Sequence, residues 1–392
     1  MRKISEPLTI CMLVFNDVVY DSRVLKEAAS LAKGGYDVTI LALHNTNLKY
    51  LELCNGFKIL RLIVLTRIFK SKILLPFKFL ECSIRMFIVA SILKADFYHC
   101  HDIGPMIAAW FAARVNRVKL IYDSHELEYD RNLSMFFRTF NRYYERLFIN
   151  KVNHIIVSDG KYRAKVMAEK NNCKVPMTFV MNCPPRIKLT EKDTFRIREE
   201  LKIPETKKIV VYIGKSMPGR GIKRILLALS RLNNIVLVLI GKYNDSQIDE
   251  WEEKFRLKNR IKSIGPFHYS EVIKVISGAD LGLVLIKNTC LSYYYSTPTK
   301  LFDCMAAGVP VMTSNFPAME NIVLNNSVGP IGGCVDPSRP NEIAKALIKI
   351  IDSDPAEYNR MKINAQNLHL GQYNWENQER KLFTVYDSIC SN

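Results

Sequence analysis

The start of the chain alternates apolar runs with segments of helical periodicity. Residues 8–15 form an apolar run typical of a buried strand, and residues 23–33 carry apolar side chains at helical spacing before Gly34 and Gly35. Residues 37–43 form the next apolar run. This order favours a parallel sheet, because parallel strands must be joined by a long crossover, which is usually a helix. In such sheets, ligands bind at the carboxyl ends of the strands.

The same alternation continues along the chain and predicts an α/β protein with a Rossmann-type start. Further strands are predicted at residues 95–100, 119–122, 152–157, 208–213, 235–240, 261–264 and 279–285. A length of 392 residues is typical of two domains. Pro184, Pro185 and the charged run at 188–198 indicate the linker between them. Residues 373–389 have the pattern of an amphipathic C-terminal helix.

The cysteines and the apolar runs indicate where the protein works. The ten cysteines include no C-x-x-C pair, so we predict reduced, buried thiols and neither disulfides nor a zinc site. No signal-like apolar core follows Met1, and no stretch has the length needed to span a bilayer. These features predict a cytoplasmic protein.

The formal net charge of +18 indicates an anionic partner, and more than half of this charge lies in residues 1–185. Residues 57–94 interleave apolar side chains with Lys58, Arg61, Arg67, Lys70, Lys72, Lys78, Arg85 and Lys94. This pattern favours peripheral contact with an anionic membrane, at the inner face of the cytoplasmic membrane. A buried amphipathic helix with a solvated basic face is the alternative. No recognition helix or zinc finger indicates nucleic acid.

Residues 296–314 contain a short helix whose two ends are marked in the sequence. Thr297 can cap the start, and Pro298 suits the first helical position. Gly308 can adopt the left-handed conformation that ends a helix, and Pro310 prevents its continuation. The apolar run after Pro310 predicts a short buried strand.

The first turns of this helix have the composition of a ligand site. Lys300 beside the free amides of a helix start would attract an anion, and Asp303 would suit sugar hydroxyls. The alternative is a surface helix with one weak ion pair.

Two predicted strand ends in the first half carry a histidine beside a carboxylate. His101 and Asp102 follow one strand, and His125 and Glu126 follow the next. We expect these side chains at one rim, whereas alternation with His101 directs His99 into the core. A purely structural role is the alternative for His101. The grouping is also typical of a metal site, but no H-x-x-x-H motif or carboxylate cage supports one, so we predict none.

The loop after the first strand supplies Asp21 and Arg23. Both can face a ligand at the strand ends, or they can be a helix N-cap and its exposed neighbour. The loop has no G-x-G-x-x-G motif, so a dinucleotide site is disfavoured here.

The second half contains a glycine-rich loop, residues 214–221, between a strand and a helix. The backbone amides of such a loop can approach a phosphate. Lys215 and Ser216 imitate the end of a P-loop, but the first glycine of that motif is absent, since Ile209 and Val210 stand at its place, so this is not an ATPase loop. Arg220 opposes the dipole at a helix start, which indicates an anionic partner.

The segment from residue 298 to 311, followed by Ser314, Pro317 and Glu320, resembles the donor-site signature of glycosyltransferase family 4. The resemblance extends to residues 16–25, 99–102, 122–126 and 214–221. It implies the GT-B fold, in which two Rossmann-like domains face each other across a cleft and a C-terminal helix crosses back over the first domain.

On this basis we predict an acceptor-binding domain at residues 1–185, with the helix at 372–392 packed on it, and a nucleotide-sugar-binding domain at 186–371. The implied donor site comprises Lys215, Arg220, Gly265, Pro266, Pro298, Thr299, Lys300 and Asp303. The implied catalytic residues are His125 and Arg220. The acceptor-side residues are Asp21, Arg23, His101, Asp102 and Glu126.

The implied reaction moves a hexose from a nucleotide-diphosphate sugar to a hydroxyl of a glycan or lipid-linked acceptor, with retention of configuration. The context is the synthesis of cell-surface polysaccharide or glycolipid. Basic side chains and helix amides would neutralise the leaving diphosphate, so no metal or other cofactor is predicted.

The chain departs from the family pattern at one point. The family often carries two glutamates with seven residues between them, where this chain has Tyr295 and Asp303. A ribose-binding role suits Asp303, but the contact to the sugar is left open, and Tyr293, Tyr294 or Tyr295 can supply it. A nucleotide-sugar epimerase and a non-catalytic sugar-nucleotide or membrane-binding module are the alternatives to a transferase.

Overall fold

The computed structural model describes residues 7–68, 71, 74–190, 193–214 and 221–390. The chain forms two compact units, Met1–Met181 with Gln378–Asn392, and Asn182–Asn377. The sequence-based prediction places these divisions after residue 185 and before residue 372.

The first unit contains a mostly parallel sheet. Its strands are β1 (Thr9–Leu13), β2 (Asp37–Leu43), β3 (Leu51–Cys54), β4 (Phe57–Leu62), β5 (Phe97–His101), β6 (Lys119–Ser124), β7 (His154–Val157) and β8 (Met177–Phe179). Within the described residues, their spatial order is β3-β4-β2-β1-β5-β6-β7-β8, and β3 alone runs antiparallel to its neighbour. Its helices are α1 (Ser22–Lys33), α2 (Leu75–Leu93), α3 (Met106–Asn116), α4 (Met135–Phe148) and α5 (Lys161–Asn171).

The second unit has an all-parallel sheet over the residues that the structure describes. Its strands are β9 (Lys208–Ile213), β10 (Ile235–Ile240), β11 (Ile261–Ile264), β12 (Leu281–Val284), β13 (Val311–Ser314) and β14 (Gly332–Val335), in the order β11-β10-β9-β12-β13-β14. Its helices are α6 (Ile197–Glu200), α7 (Ile222–Leu229), α8 (Asp245–Phe255), α9 (Tyr269–Ile276), α10 (Leu291–Tyr294), α11 (Thr299–Ala306), α12 (Pro317–Val323), α13 (Pro340–Ile351) and α14 (Pro355–Gly371). Every residue of β10 is buried, as expected for a strand covered on both faces.

The strand orders locate the ligand edge of each sheet. In the first unit the chain leaves β1 on one side through β2 and returns on its other side at β5, and in the second unit β9 and β12 have this relationship. Ligands of doubly wound sheets bind at the carboxyl ends of the strands where the order reverses. We therefore expect ligand-binding sites at the loops after β1, β5, β9 and β12.

The C-terminal helix, α15 (Trp375–Cys390), returns to the first unit from residue 378 onward. The Tyr386 hydroxyl lies 2.8 Å from Nδ1 of His99 on β5, and its ring packs against Phe97 and Tyr36. Both His99 and Tyr386 are fully buried. The prediction that His99 points into the core is confirmed.

The short helix predicted within residues 296–314 begins one residue later than predicted. It starts at Thr299, and Pro298 is the N-cap residue in extended conformation, with a ψ of 141°. The assignment of Thr297 as the cap is wrong, because the extended backbone of Pro298 makes Pro298 the N-cap residue and not the first helical residue. The predicted C-terminus is confirmed, since Gly308 has a φ of +67° and β13 follows.

The basic stretch at residues 57–94 comprises β4, a short helical turn (Leu65–Ile68) and α2. Arg61 is buried and bonds to Glu52, so it is not part of a basic surface. Lys70 and Lys72 lie outside the described residues. Within the described part of the chain, no helix combines the length and apolar character needed to cross a bilayer.

Candidate active site

Side chains from the carboxyl ends of β5 and β6 form one cluster. Nε2 of His125 lies 2.8 Å from Oδ2 of Asp123 and 3.3 Å from Nδ1 of His101. His101 approaches the same carboxylate at 3.1 Å. Asp102 accepts a 3.1 Å hydrogen bond from the backbone N–H of His125, and its other oxygen lies 3.4 Å from Nδ1 of the imidazole. The structure therefore brings His101, Asp102 and His125 together, as the strand ends indicated.

Each ring nitrogen of His125 faces a carboxylate. Burial lowers the pKa of this imidazole, but the negative charges of Asp102 and Asp123 outweigh burial and raise the pKa of His125 to about 10. His125 is therefore an imidazolium at neutral pH, with 17% of its side chain exposed. In this form it donates hydrogen bonds and cannot act as a general base.

Arg23 binds the same carboxylate from the interior. Its Nε and Nη2 atoms donate to the two oxygens of Asp123 at 2.8 and 2.7 Å, and Nη1 donates to the carbonyl of Val180 at 2.6 Å. Burial acts to raise the pKa of Asp123, but Arg23 and His125 hold it well below its usual range. Arg23 is only 4% exposed, so the alternative that made it an exposed neighbour of a helix cap is wrong.

Two side chains of this cluster and two further buried side chains together have the composition of a metal site. Glu27, His99, His101 and Asp123 each offer a ligand atom within 4.8 Å of the others. However, the Arg23 guanidinium lies 3.0 Å from Glu27 and 2.7 Å from Asp123. It supplies both carboxylates with the positive charge that a cation would bring, and a second cation beside it would be repelled. The absence of a metal from the reaction stays a prediction.

The first unit contains a cavity of about 930 Å³, and His101 and Asp102 are among the residues that line it. Asp21 lines the cavity and also caps α1, accepting a hydrogen bond from the backbone N–H of Val24. Glu126 is not a lining residue, but it forms a 2.8 Å ion pair with Arg131, which is one.

In the second unit, Lys300 on α11 lies against the end of β9. A methyl group added to Gly214 would be 3.0 Å from the Lys300 ammonium, so the lysine extends to the first residue of the glycine-rich loop. The ammonium also lies 5.0 Å from the centre of the Tyr212 ring. The loop ends at Gly221, where a side chain would approach the carbonyl of Leu285, just after β12, at 2.7 Å. Gly214 and Gly221, the two ends of the loop, therefore lie at the edge where the strand order reverses.

Asp303, one turn after Lys300, is 3% exposed. Its Oδ1 atom accepts a 3.3 Å hydrogen bond from the hydroxyl of Tyr269, the first residue of α9. Burial and the neighbouring Asp303 charge raise the pKa of Tyr269, so the phenol keeps its proton and remains a donor. Tyr269 thus orients the carboxylate proposed for ribose.

The other predicted donor residues lie at the ends of elements in the same unit. Gly265 and Pro266, joined by a cis peptide bond, follow β11, while Pro298 and Thr299 form the start of α11. Lys215 and Arg220 lie outside the described residues. Of the three tyrosines, Tyr293 and Tyr294 pack on the cluster of Ile286, Phe316 and Met319, so part of their surface is structural.

Sequence reasoning missed several residues that hold these groups in place. Arg163 and Ser158 both donate to the backbone carbonyl of His125. Glu27, one helical turn after Arg23, is buried beside it, and Tyr269 supports Asp303. The position of Ser158, directly after a predicted strand, was the available signal. Nothing in the sequence linked Tyr269 to Asp303, because they come from separate helices.

Two α/β units, each built on a mainly parallel sheet, and a C-terminal helix that returns to the first unit define the GT-B class of glycosyltransferase structure. The sucrose-phosphate synthase of Thermosynechococcus elongatus has the same fold, with a TM-score of 0.78 and 17% identity over 98% of this chain and 99% of that one. The structure of Anabaena HepE in complex with UDP-glucose has a TM-score of 0.75 and 13% identity, over 97% of this chain and all of that one.

The family models cover most of the chain. Residues 22–170 match "Glycosyltransferase Family 4" and residues 193–368 match "Glycosyl transferases group 1". The chain belongs to glycosyltransferase family 4. A D-inositol 3-phosphate glycosyltransferase of Corynebacterium glutamicum is 24% identical over 213 residues, 52% of this chain and 48% of that protein. The chain thus spans about half the length of the curated relatives it matches.

Proposed function

We propose that this protein transfers a hexose from a nucleotide-diphosphate sugar to a hydroxyl of a glycan or lipid-linked acceptor, with retention of configuration. The proposed setting is cell-surface polysaccharide or glycolipid synthesis at the cytoplasmic face of the membrane. The observation that carries the proposal is the position of the Lys300 ammonium against Gly214, at the edge where the strand order of the second sheet reverses. A cation and loop amides at this edge suit a diphosphate.

In the proposed reaction, the bond between the anomeric carbon and the diphosphate oxygen breaks, and a bond to the acceptor oxygen forms. The products are the glycoside, the nucleoside diphosphate and the proton released by the acceptor hydroxyl. Negative charge grows on the leaving diphosphate, so Lys300, Lys215 and Arg220 would stabilise the transition state more than the ground state. With these three cations the proposed chemistry requires no metal.

Asp303 and its partner Tyr269 would bind the ribose hydroxyls. A carboxylate accepts hydrogen bonds from hydroxyl groups, and Asp303 already accepts one from the hydroxyl of Tyr269. The loop at Gly265 and Pro266 would hold the base through backbone groups.

The cluster of the first unit would serve the sugar and the acceptor. Because His125 is an imidazolium, its proposed role is to donate a hydrogen bond and to fix Asp102, which is 38% exposed and lines the cavity. Asp102 would then bind the acceptor hydroxyl.

Membrane association is proposed from the surface of α2 and α4. Helix α2 exposes Phe77, Leu80, Ile84, Ile88 and Ile92, and α4 exposes Phe136, Tyr143 and Leu147. Arg142 and Arg146 on α4 are also exposed. Apolar helix faces with neighbouring arginines suit an anionic bilayer.

Donor use is tested by incubating the protein with a panel of nucleotide sugars and measuring released nucleoside diphosphate, with and without lipid-linked acceptors. An epimerase would release a free or altered sugar without acceptor, and a non-catalytic module would release nothing. Lys300→Ala should weaken binding of the nucleoside diphosphate by about tenfold or more, the value of one charge-assisted contact. Lys223→Ala removes an equal charge from an exposed position on α7 and should have no effect. Equal affinities in both variants would contradict the site.

A further inference from the structure

We propose that the cavity of the first unit holds the hydrocarbon chain of a lipid-linked acceptor, with the acceptor's polar end at Asp102. This inference rests on the proposed transferase function and names its acceptor class. It concerns the interior of the cavity and is separate from contact between the protein surface and a bilayer.

The cavity has a polar end and an apolar end. The polar end lies at the carboxyl edge of the sheet, with Asn16 after β1 and His101 and Asp102 at the end of β5. The apolar end lies at the first turns of α2 and at α4, where Phe79 and Phe140 are among the lining residues, although Glu128, Arg131 and Asn141 from the same region also line the cavity. A ligand that fills it needs a hydroxyl-bearing head and an apolar tail, which a glycan alone does not have.

The walls of the apolar end are packed aromatic rings. The Phe79 ring packs edge to face against two other rings, with 6.5 Å between its centre and that of Phe140 and 5.8 Å between its centre and that of Tyr144. The Tyr144 hydroxyl accepts a 3.0 Å hydrogen bond from the backbone N–H of Ile107 on α3, which fixes this wall. A volume of about 930 Å³ falls within the range of about 300–1,000 Å³ typical of small-molecule sites. Because these rings already pack against one another, binding would not have to order this wall of the cavity.

Continuity with two other features selects a lipid as the occupant. At its polar end the cavity reaches Asp102, which contacts His125 of the candidate catalytic cluster. At its apolar end, Leu80 and Phe136 line the cavity and are also 55% and 74% exposed. Leu80 begins the stripe of Ile84, Ile88 and Ile92 along α2. A chain in the cavity would thus run from the catalytic cluster to the same apolar surface that suits a bilayer.

The test uses 11-(dansylamino)undecan-1-ol, a neutral fluorescent single-chain probe with a hydroxyl head, below its micelle concentration, with the full-length protein. Binding should raise dansyl fluorescence. Alkyl glucosides should displace the probe at lower concentrations as their alkyl chain lengthens from eight to twelve carbons. Phe140→Asn, at a half-exposed lining position, should weaken probe binding about tenfold, because it removes aromatic surface that would be buried against the hydrocarbon chain. Phe136→Asn, at a more exposed lining position, should weaken it in the same direction.

Leu147→Asn is the matched control, because Leu147 is 56% exposed on the same helix and does not line the cavity. It should leave probe binding unchanged. Equal weakening by Leu147→Asn, or displacement that is independent of chain length, would overturn the proposal in favour of a general apolar surface. Nucleotide-sugar binding is measured in parallel. If the probe binds as expected but no nucleotide sugar does, the transferase function fails and the acceptor assignment fails with it. If nucleotide sugar binds and the probe does not, the acceptor assignment alone is overturned.

Discussion

The imidazole of His125 lies 2.8 Å from the buried carboxylate of Asp123, and its second nitrogen lies 3.4 Å from Asp102. Two carboxylates on one histidine stabilise the charged form of the ring. This relationship gives the candidate catalytic histidine a fixed positive charge, which distinguishes it from a histidine that exchanges a proton at neutral pH.

We therefore expect His125 to remain protonated from pH 5 to pH 8 and to titrate near pH 10. The folded pKa of His125 lies above the ordinary value of 6.5. The attraction between its imidazolium and the two carboxylates therefore stabilises the fold fully below about pH 6.5, and this contribution is lost as the pH rises through about 10. The imidazole proton shifts in NMR spectra, assigned with His125→Gln, test this directly. A titration midpoint near 6.5 would contradict the ion-pair geometry.

Arg23→Leu should destabilise the first unit. The substitution leaves the carboxylates of Asp123 and Glu27 buried without their guanidinium, and breaking a buried ion pair in this way costs about 3–5 kcal/mol. Urea unfolding followed by circular dichroism measures the loss. Arg85→Ala is the control, because Arg85 is 42% exposed in its pair with Glu81, and such a pair contributes about 1 kcal/mol at most. Similar losses in the two variants would show that burial of Arg23 has no special role.

The sequence could predict the sheets because parallel strands that are covered on both faces appear as continuous apolar runs. Residues 208–213, 235–240 and 261–264 match β9, β10 and β11 residue for residue. The end of α11 was equally readable, since Gly308 needs a left-handed backbone. The start was not, because Thr297 has the composition of a cap and only the backbone at Pro298 excludes it.

The candidate site was predictable where its residues follow strands and not where they meet through tertiary packing. His101, Asp102 and His125 lie at neighbouring strand ends, so local order in the sequence was sufficient to group them. The burial of Arg23 against Asp123 joins residues 100 positions apart, and a pattern of single elements contains no information about that contact.

Gly221→Ala should destabilise the second unit more than Gly35→Ala destabilises the first. Both glycines have a positive φ, of +74° and +92°, which costs a side-chain-bearing residue about 1–2 kcal/mol. At Gly221 the new methyl group would also approach the carbonyl oxygen of Leu285 at 2.7 Å, whereas nothing lies within 4 Å at Gly35. We expect Gly221→Ala to lower the free energy of unfolding more than Gly35→Ala does. Only Gly221→Ala should weaken binding of the nucleoside diphosphate. Equal effects in thermal unfolding would show that the loop end tolerates displacement.

Tyr269→Phe should raise the KM for the nucleotide sugar about tenfold with little change in kcat. It removes the hydroxyl that orients Asp303, and a hydrogen bond to a charged group contributes about 1.5–3 kcal/mol. Tyr358→Phe removes a comparable hydroxyl, which donates to the backbone carbonyl of Asp280, and serves as the control. A change in stability without a change in KM would assign Tyr269 a structural role only.

Arg220→Ala should abolish transfer while leaving the fold intact. Arg220 precedes Gly221, the N-cap residue of α7, and a cation at a helix start opposes the helix dipole unless an anion is bound there. Its loss would remove charge stabilisation from the leaving diphosphate, an effect of at least about a hundredfold on kcat for a group of this kind. Arg231→Ala, at an exposed position beyond the other end of α7, is the control and should retain full turnover. The rate of nucleoside diphosphate release is measured for both, with circular dichroism as a check on folding. Unchanged turnover in Arg220→Ala would remove Arg220 from the donor site and leave Lys215 and Lys300 as the proposed cations.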